Sequence, residues 1–459
     1  MNLHSTFARG LQLAACFCAS GLAILTAQPA DAEIAALREQ IRLLDQRLQE
    51  LERQRATSRE TASTPTAPAS KVAVNDRSVA LSSADEAHAF RLKALVQADS
   101  RWFFNDGGIP NNDAFILRRA RMIFEGTFHR WLQFQIVPEF GGGSTTLLDA
   151  NVTLALRPEL QVKVGKFKSP VGLEQLQSDS WAYFIERSMV SGLVPNRDIG
   201  VQVGGDVLEG KLNYSLAVLN GVADGSSSSN NADFDDDKDF VVRLFAQPFK
   251  GQEEHLLSGL GIGFAASYAP GSETASALTS GYRTDGQQRF FTYTDGTVAD
   301  GDTWRLAPQA YLYSGPFGMM AEYVRSTVNV RAGTNRAELQ HVGWQASAGY
   351  VLTGEDASYG GVKPDRNFSP GGDGWGAFEV VARISQVDID EKTFPLFASP
   401  AVSADKITSA GVGLNWYLNR SVRATVNYFH ATFDTALAPT SLLLQEGEDA
   451  LLTRLQLTF

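Results

Sequence analysis

The chain has 459 residues, is 44% hydrophobic and 20% charged, and carries a net charge of −11. Past its leader, no apolar run reaches the ~20 residues of a membrane-spanning helix, and the acidic balance argues against a nucleic-acid partner, which would favour a basic surface. Its 41 glycines, many Phe and Tyr, and polar breaks at nearly regular spacing favour an all-β protein.

Met1 to Ala32 reads as a secretory signal peptide. Arg9 supplies charge, Leu11 to Leu25 is apolar, and Ala30-Asp31-Ala32 offers a small-x-small cleavage site before Glu33. A lipoprotein cleavage at Leu13-Ala14-Ala15-Cys16 is the alternative, but it would cut the apolar segment in its middle. Both cysteines, Cys16 and Cys18, lie in this leader, so cleavage at Ala32 leaves no thiol and no disulfide. In residues 33–55, Ile34, Leu37, Ile41, Leu44, Leu48 and Leu51 recur three and four apart, the seam of a short coiled-coil helix. Such a helix is marginal alone. It either joins subunits or lies as an amphipathic helix on a surface, and Ile at a with Leu at d suggests two strands rather than three. Residues 56–87, rich in Thr, Ala, Ser and Pro over Ala56 to Lys71, are expected to be a flexible linker.

From residue 88 to the end, apolar and polar residues alternate. Phe90, Leu92, Ala94 and Val96 oppose Arg91, Lys93, Gln97 and Asp99. Ala120, Met122 and Phe124 oppose Arg119, Arg121 and Glu125. Counting every such segment predicts an antiparallel transmembrane β-barrel of about 16 strands, each near the length a tilted membrane strand needs. The links support a membrane barrel over a soluble sheet. Long ones (168–197, 220–239, 269–303, 388–406, 434–450) alternate with tight ones at His129-Arg130, Pro158, Leu208-Glu209-Gly210, Gly315-Pro316 and Asn419-Arg420. The long 353–374 link falls where a short one is expected, which could hide a strand. Trp102, Trp131, Trp304, Trp375 and Trp416 fall near strand ends, where amphipathic rings meet lipid headgroups, and the chain ends on an aromatic residue, Phe459. An acidic block at 233–239 is read as a solvated loop. Its functional alternative is a divalent cation bridging it to anionic lipid headgroups.

If the apolar face meets lipid, the other face lines water and its charges select what passes. The lumenal basic residues are then Arg91, Lys93, Arg101, Arg119, Arg121, Lys163, Arg243, Arg305, Arg383, Arg423 and Arg454. Fewer acids face them: Asp99, Glu125, Glu139, Asp149, Glu322 and Glu379. An arginine-lined wall suits small anions, since guanidinium stays ionised and offers forked donors. The alternative is that lumenal charges pair across strands to stiffen the barrel.

Lys166-Phe167-Lys168-Ser169-Pro170, Phe184-Ile185-Glu186-Arg187-Ser188 and Pro195-Asn196-Arg197-Asp198-Ile199-Gly200 resemble the phosphate-selective porin O and P family of bacterial outer membranes. So do Gly349 to Glu355, Gly376 to Arg383 and Gly413 to Leu418. The resemblance implies a passive, homotrimeric outer-membrane porin of a Gram-negative bacterium, with lipid and lipopolysaccharide around it and the coiled coil on the periplasmic side. It implies a loop, about 168–197, that folds inward and narrows the pore, bringing Lys168, Glu186, Arg187, Arg197 and Asp198 to the constriction. A paired arginine on the second strand, here Arg118-Arg119, is implied to contact inorganic phosphate. Arg119 and Arg121 share one face, so Arg118 reaches the lumen only near a strand end or in a bulge. A lumenal lysine on a late strand has no counterpart, since Lys363 and Lys392 fall in links and Lys406 opens a strand. Other readings are a non-selective general porin, a structural or adhesive barrel, or an enzymatic one. No catalytic Ser/His pair, metal-ligand spacing or nucleotide fingerprint supports an enzyme or a cofactor.

Overall fold

The computed structural model describes residues 30–61, 70–104, 112–229, 237–252, 254–271, 276–278, 281–434 and 447–459. They belong to two compact units, Met1–Ala67 and Pro68–Phe459. In the first, a helix spans Ala30–Thr61, longer than the predicted 33–55. The seam residues Leu37, Ile41, Leu44, Leu48 and Leu51 are all exposed along this helix.

The second unit opens with an unpredicted hairpin, Lys71–Asn75 paired with Ser78–Ser82, inside what reads as linker. The alternation Val72, Val74 and Val79, Leu81 around Asp76-Arg77 is its signal. Sixteen antiparallel strands follow and close into a barrel. They are β1 (Ala89–Phe103), β2 (Ala114–Phe128), β3 (Leu132–Glu139), β4 (Thr146–Arg157), β5 (Leu160–Lys168), β6 (Arg197–Val207), β7 (Leu212–Leu219) and β8 (Asp239–Ala246). Then come β9 (Leu260–Ala269), β10 (Val298–Ser314), β11 (Phe317–Ala332), β12 (Asn335–Val351), β13 (Ala377–Asp388), β14 (Lys406–Tyr417), β15 (Val422–Asp434) and β16 (Gly447–Thr458). Closure is β16 against β1, from Ala450↔Phe103 to Thr458↔Leu95, which leaves no free edge in the wall.

Alternation sets the two faces. Val201, Val203, Leu216, Val218, Phe240 and Ile262 point outward, while Gln97, Asp99, Arg423, Asn427 and Arg454 are buried within. Three links depart from the expected rhythm. Gly333-Thr334 is a tight turn on the long-loop rim between β11 and β12. Segment 247–259 is a long link on the short-turn rim. Segment 352–376 hides no extra strand; it turns inward from the short-turn rim because its apolar residues Ala357, Tyr359 and Val362 find cover in the lumen.

The barrel is filled unevenly. The link after β5 enters as one short helical stretch, Leu173–Leu176, and a 3-10 turn, Met189–Leu193. Met189, Val190 and Leu193 pack against Tyr282, Phe290, Phe291 and Tyr293 of the link after β9 and Phe397 of the link after β13, an apolar core inside the long-loop half. Burying such side chains contributes roughly 1.5–3 kcal/mol each.

Candidate functional site

The inward link 169–196 is held by its backbone, because the wall opposite it is rich in side chains that hydrogen-bond peptide groups. Glu322 of β11 accepts from the N–H groups of Leu173 (2.7 Å) and Glu174 (3.2 Å), and Gln309 of β10 donates to Val171 O at 2.9 Å. Arg423 donates to Ala182 O, Asn415 to Tyr183 O and Arg454 to Ile185 O, while Asn427 accepts from the Ile185 N–H. Gln97 and Gln456 donate to Asp179 O and Ser180 O. From beneath, Tyr359 donates its hydroxyl to Leu173 O at 2.6 Å.

Two loop carboxylates complete the clasp. Glu186 takes a forked pair from Arg118 (2.6 and 3.1 Å) and one bond from Arg101 (2.8 Å). Asp179 meets Arg187 at 2.7 Å, Arg119 at 3.3 Å, and also Arg121. Burial alone would push both carboxyls up, but the guanidiniums of Arg118 and Arg119 around Glu186, and of Arg119, Arg187 and Arg121 around Asp179, hold them below the usual carboxylate range. The β1–β2 register slips between Gln97 and Ala98, so Arg118 is an extra, bulged residue and both Arg118 and Arg119 reach loop groups in the lumen.

The open space lies elsewhere. A cavity of about 550 Å³ borders β2 to β8, lined by five cations, Arg121, Lys163, Lys168, Arg197 and Arg243, and three carboxylates, Asp149, Asp179 and Asp206. Arg197 and Asp206 stand nine positions apart on β6 yet line the same space, which places the cavity along roughly 30 Å of strand. A second space of about 350 Å³, lined by Arg91, Glu125, Gln133, Gln135 and Lys163 among others, adjoins it towards β1. Within the first cavity Arg197 is paired with Asp149 at 3.2 Å and Arg121 with Glu139 at 2.5 Å, and Lys168 donates to Gln177 O at 2.8 Å. Among the described residues Arg243 donates to the neutral Gln309, at 3.0 and 3.1 Å, and lies 4.6 Å from the Phe245 ring centre.

A family model described as phosphate-selective porin O and P matches residues 90–459. The chain belongs to that family. Porin O of Pseudomonas aeruginosa is 26% identical over 404 residues, 82% of this chain and 89% of its own length. Among solved structures, the outer-membrane channel DcaP of Acinetobacter baumannii (12% identical, TM-score 0.52) aligns with 81% of this porin and 97% of its own chain, and OmpF of Salmonella typhi (12%, 0.52) with 85% and 100%. These likenesses show a shared barrel fold. The porin is an outer-membrane channel and not an enzyme.

The predicted residues of this porin therefore divide. Arg101, Arg118, Arg119, Arg383, Arg423 and Arg454 bind the inward loop, and Arg454 also forks onto Asp99 at 2.6 and 2.8 Å. Arg383 stacks over Phe184 at 4.4 Å and pairs with Glu174 and with Asp285 of the link after β9. Arg305 is buried on Asp224 (2.6 Å) and Asp239 (3.5 Å). Reading lumenal parity as water contact thus fails for this group, because inward-folding loops cover their side chains. Of the acidic block, Asp233, Asp235 and Asp236 lie outside the described residues, and Asp239 belongs to the wall rather than a solvated loop. Of the constriction set, Arg187 donates to Glu174 O and Gln177 O, and Asp198 accepts from the Ile199 and Gly221 N–H groups, fastening β6 to the next link. Arg91 and Lys93 stand near the short-turn rim, with Lys93 2.7 Å from Glu125. Arg121, Lys163, Lys168, Arg197 and Arg243 border open space. The sequence reading missed the neutral lane between them: Gln135, Asn151, Thr153, Gln161, Gln202, Asn213 and Ser215. Its signal was present as lumenal-parity amides and hydroxyls.

Proposed function

We propose that this porin passes small anions, inorganic phosphate among them, down the β2–β8 side of the lumen. The observation that carries the reading is the excess of cations over carboxylates around that cavity, five against three. Three of the five, Lys163, Lys168 and Arg243, form no ion pair among the described residues, and Lys168 is taken up by the Leu176 and Gln177 carbonyls, which leaves Lys163 and Arg243 for solute. An unpaired cation beside water attracts an anion without first having to release a protein carboxylate, and a short series of them lets the anion move on. The assembly in this reading is a homotrimer in the outer membrane among lipid and lipopolysaccharide, its N-terminal coil joining subunits on the periplasmic side.

The test is the reversal potential of the purified porin in a salt gradient across a planar bilayer, repeated with phosphate as competitor. Anion-favouring potentials that fall in Lys163→Glu, with chloride current inhibited by phosphate, support the reading. Cation preference in the wild type refutes it.

A further inference from the structure

Lys163 has neutral hydrogen-bonding groups as its strand neighbours and no carboxylate at ion-pair distance among the described residues, although Asp149 and Glu125 line the same two spaces. Its direct cross-strand partners are Thr153 on β4 and Gln202 on β6, and Gln161 is two residues away on the same face of β5. Gln161 in turn sits in a row with Gly204 and Ser215, and Ser215 pairs with Arg243 on β8. Lys163 and Arg243, neither in an ion pair among the described residues, are thus three strand spacings and two residues apart, ~16 Å between backbones. Both side chains are long enough to lean into the gap. Between them lie Gln161, Gln202 and Ser215, all bordering the cavity. Gln161 and Thr153 have no side-chain partner among the described residues, and Gln202 makes only a long 3.4 Å contact to Ser215. On the long-loop side of Lys163 the lumenal positions of β5 and β6 are Gly165 and Gly200, direct partners that leave the wall bare of side chains. Phe167, with the Lys163 ammonium 5.4 Å from its ring centre, forms an apolar flank.

A bare inorganic anion makes poor use of this lane. Inorganic phosphate near neutral pH has one or two P–OH donors and its other oxygens only accept, so it can satisfy few of the glutamine carbonyls, and the rest would face negative charge. A hydroxyl both donates and accepts and uses both halves of an amide. A wholly neutral polyol, conversely, would leave the two unpaired cations without partners. Resting on the anion-porin reading above, we infer that the lane around Lys163 is a subsite for phosphorylated polyols, the phosphate on Lys163 or Arg243 and the hydroxylated carbons against Gln161, Gln202, Thr153 and Ser215.

The experiment is inhibition of chloride current through the full-length porin in planar bilayers, comparing inorganic phosphate, glycerol 3-phosphate, glucose 6-phosphate and free glycerol. Half-inhibition by the two phosphorylated polyols is expected at a concentration roughly three- to tenfold below that of phosphate, one or two net hydrogen bonds' worth, with free glycerol inert. Gln161→Leu/Gln202→Leu is expected to abolish that advantage, so that the polyol phosphates and phosphate inhibit the variant at the same concentration. The milder Gln202→Ala, which removes one contact, should lose part of it if the double variant fails to assemble. Phosphate inhibiting as well as or better than the polyol phosphates, or an advantage that survives the glutamine changes, overturns the subsite. Cation preference in the wild type overturns instead the anion reading on which it rests.

Discussion

The two flanks of one lumen use the same residue type for different ends. On β13 to β16 and β1, lumenal arginines end on loop carbonyls and carboxylates: Arg423 on Ala182, Arg454 on Ile185 and Asp99, Arg101 on Glu186. On β5 to β8 the loop packs on apolar wall residues, Phe167, Ala217, Leu219, Val241 and Phe245, and Lys168 holds its carbonyls, while Lys163 and Arg243 border the open cavity. A guanidinium buried with its partners fixes geometry, whereas one left beside water can exchange partners with a passing ion. Whether an arginine selects solute or secures a loop thus depends on what covers it, not on which face of the strand it occupies.

The sharpest way to break the contrast is to remove the clasp. Deleting Gln175 to Ser191 takes away Asp179 and Glu186 together, so single-channel conductance should rise several-fold and anion preference should strengthen as Arg101, Arg118 and Arg119 become free. Unchanged conductance would remove the loop from the constriction. Glu186→Gln is next: stranding buried guanidiniums costs about 3–5 kcal/mol, read as a lower unfolding temperature in detergent and noisier channel current. Arg119→Glu belongs with this class, acting through Asp179 and Gln97 rather than through solute.

Acid should imitate these changes gradually. Because Glu186 and Asp179 titrate below the usual carboxylate range in the fold, their stabilisation is complete above about pH 4.3, declines as pH falls below it, and is lost once pH passes their lowered folded values. Noise from the loss of these two anchors should be absent from pH 8 to about pH 5 and appear only below, as bilayer recordings of the wild type beside Glu186→Gln across that range would show. The smallest expected effect is Tyr359→Phe, which removes one hydrogen bond to Leu173 O and about 1 kcal/mol. It should shift the detergent melting temperature slightly and leave selectivity alone.

Most of the barrel was legible because side-chain period two is imposed by the lipid on one face and the lumen on the other, and strand limits from Ala89 to Thr458 follow that pattern. Parity implied that Arg118 reaches the lumen only near a strand end or in a bulge, and the β1–β2 register contains the bulge. The hairpin at Lys71–Ser82 was missed because the Pro- and Ser-rich neighbourhood masked a short alternation. The occupied flank was illegible for a different reason. Nothing in the alternation of Arg383, Arg423 or Arg454 records that a loop from more than 190 positions earlier returns to cover them. Long-range coverage is a property of where loops pack, and no local pattern encodes it.

The central claim is that ions pass along β5 to β8 and not among the clasped arginines. With Cys16 and Cys18, the two cysteines of the sequence, replaced by serine, a single introduced cysteine can report accessibility to a negatively charged thiol reagent during current recording. Gln202→Cys should react and its current fall, while Thr425→Cys, buried under the loop, should stay unmodified. A reactive Thr425→Cys beside an inert Gln202→Cys would contradict the account.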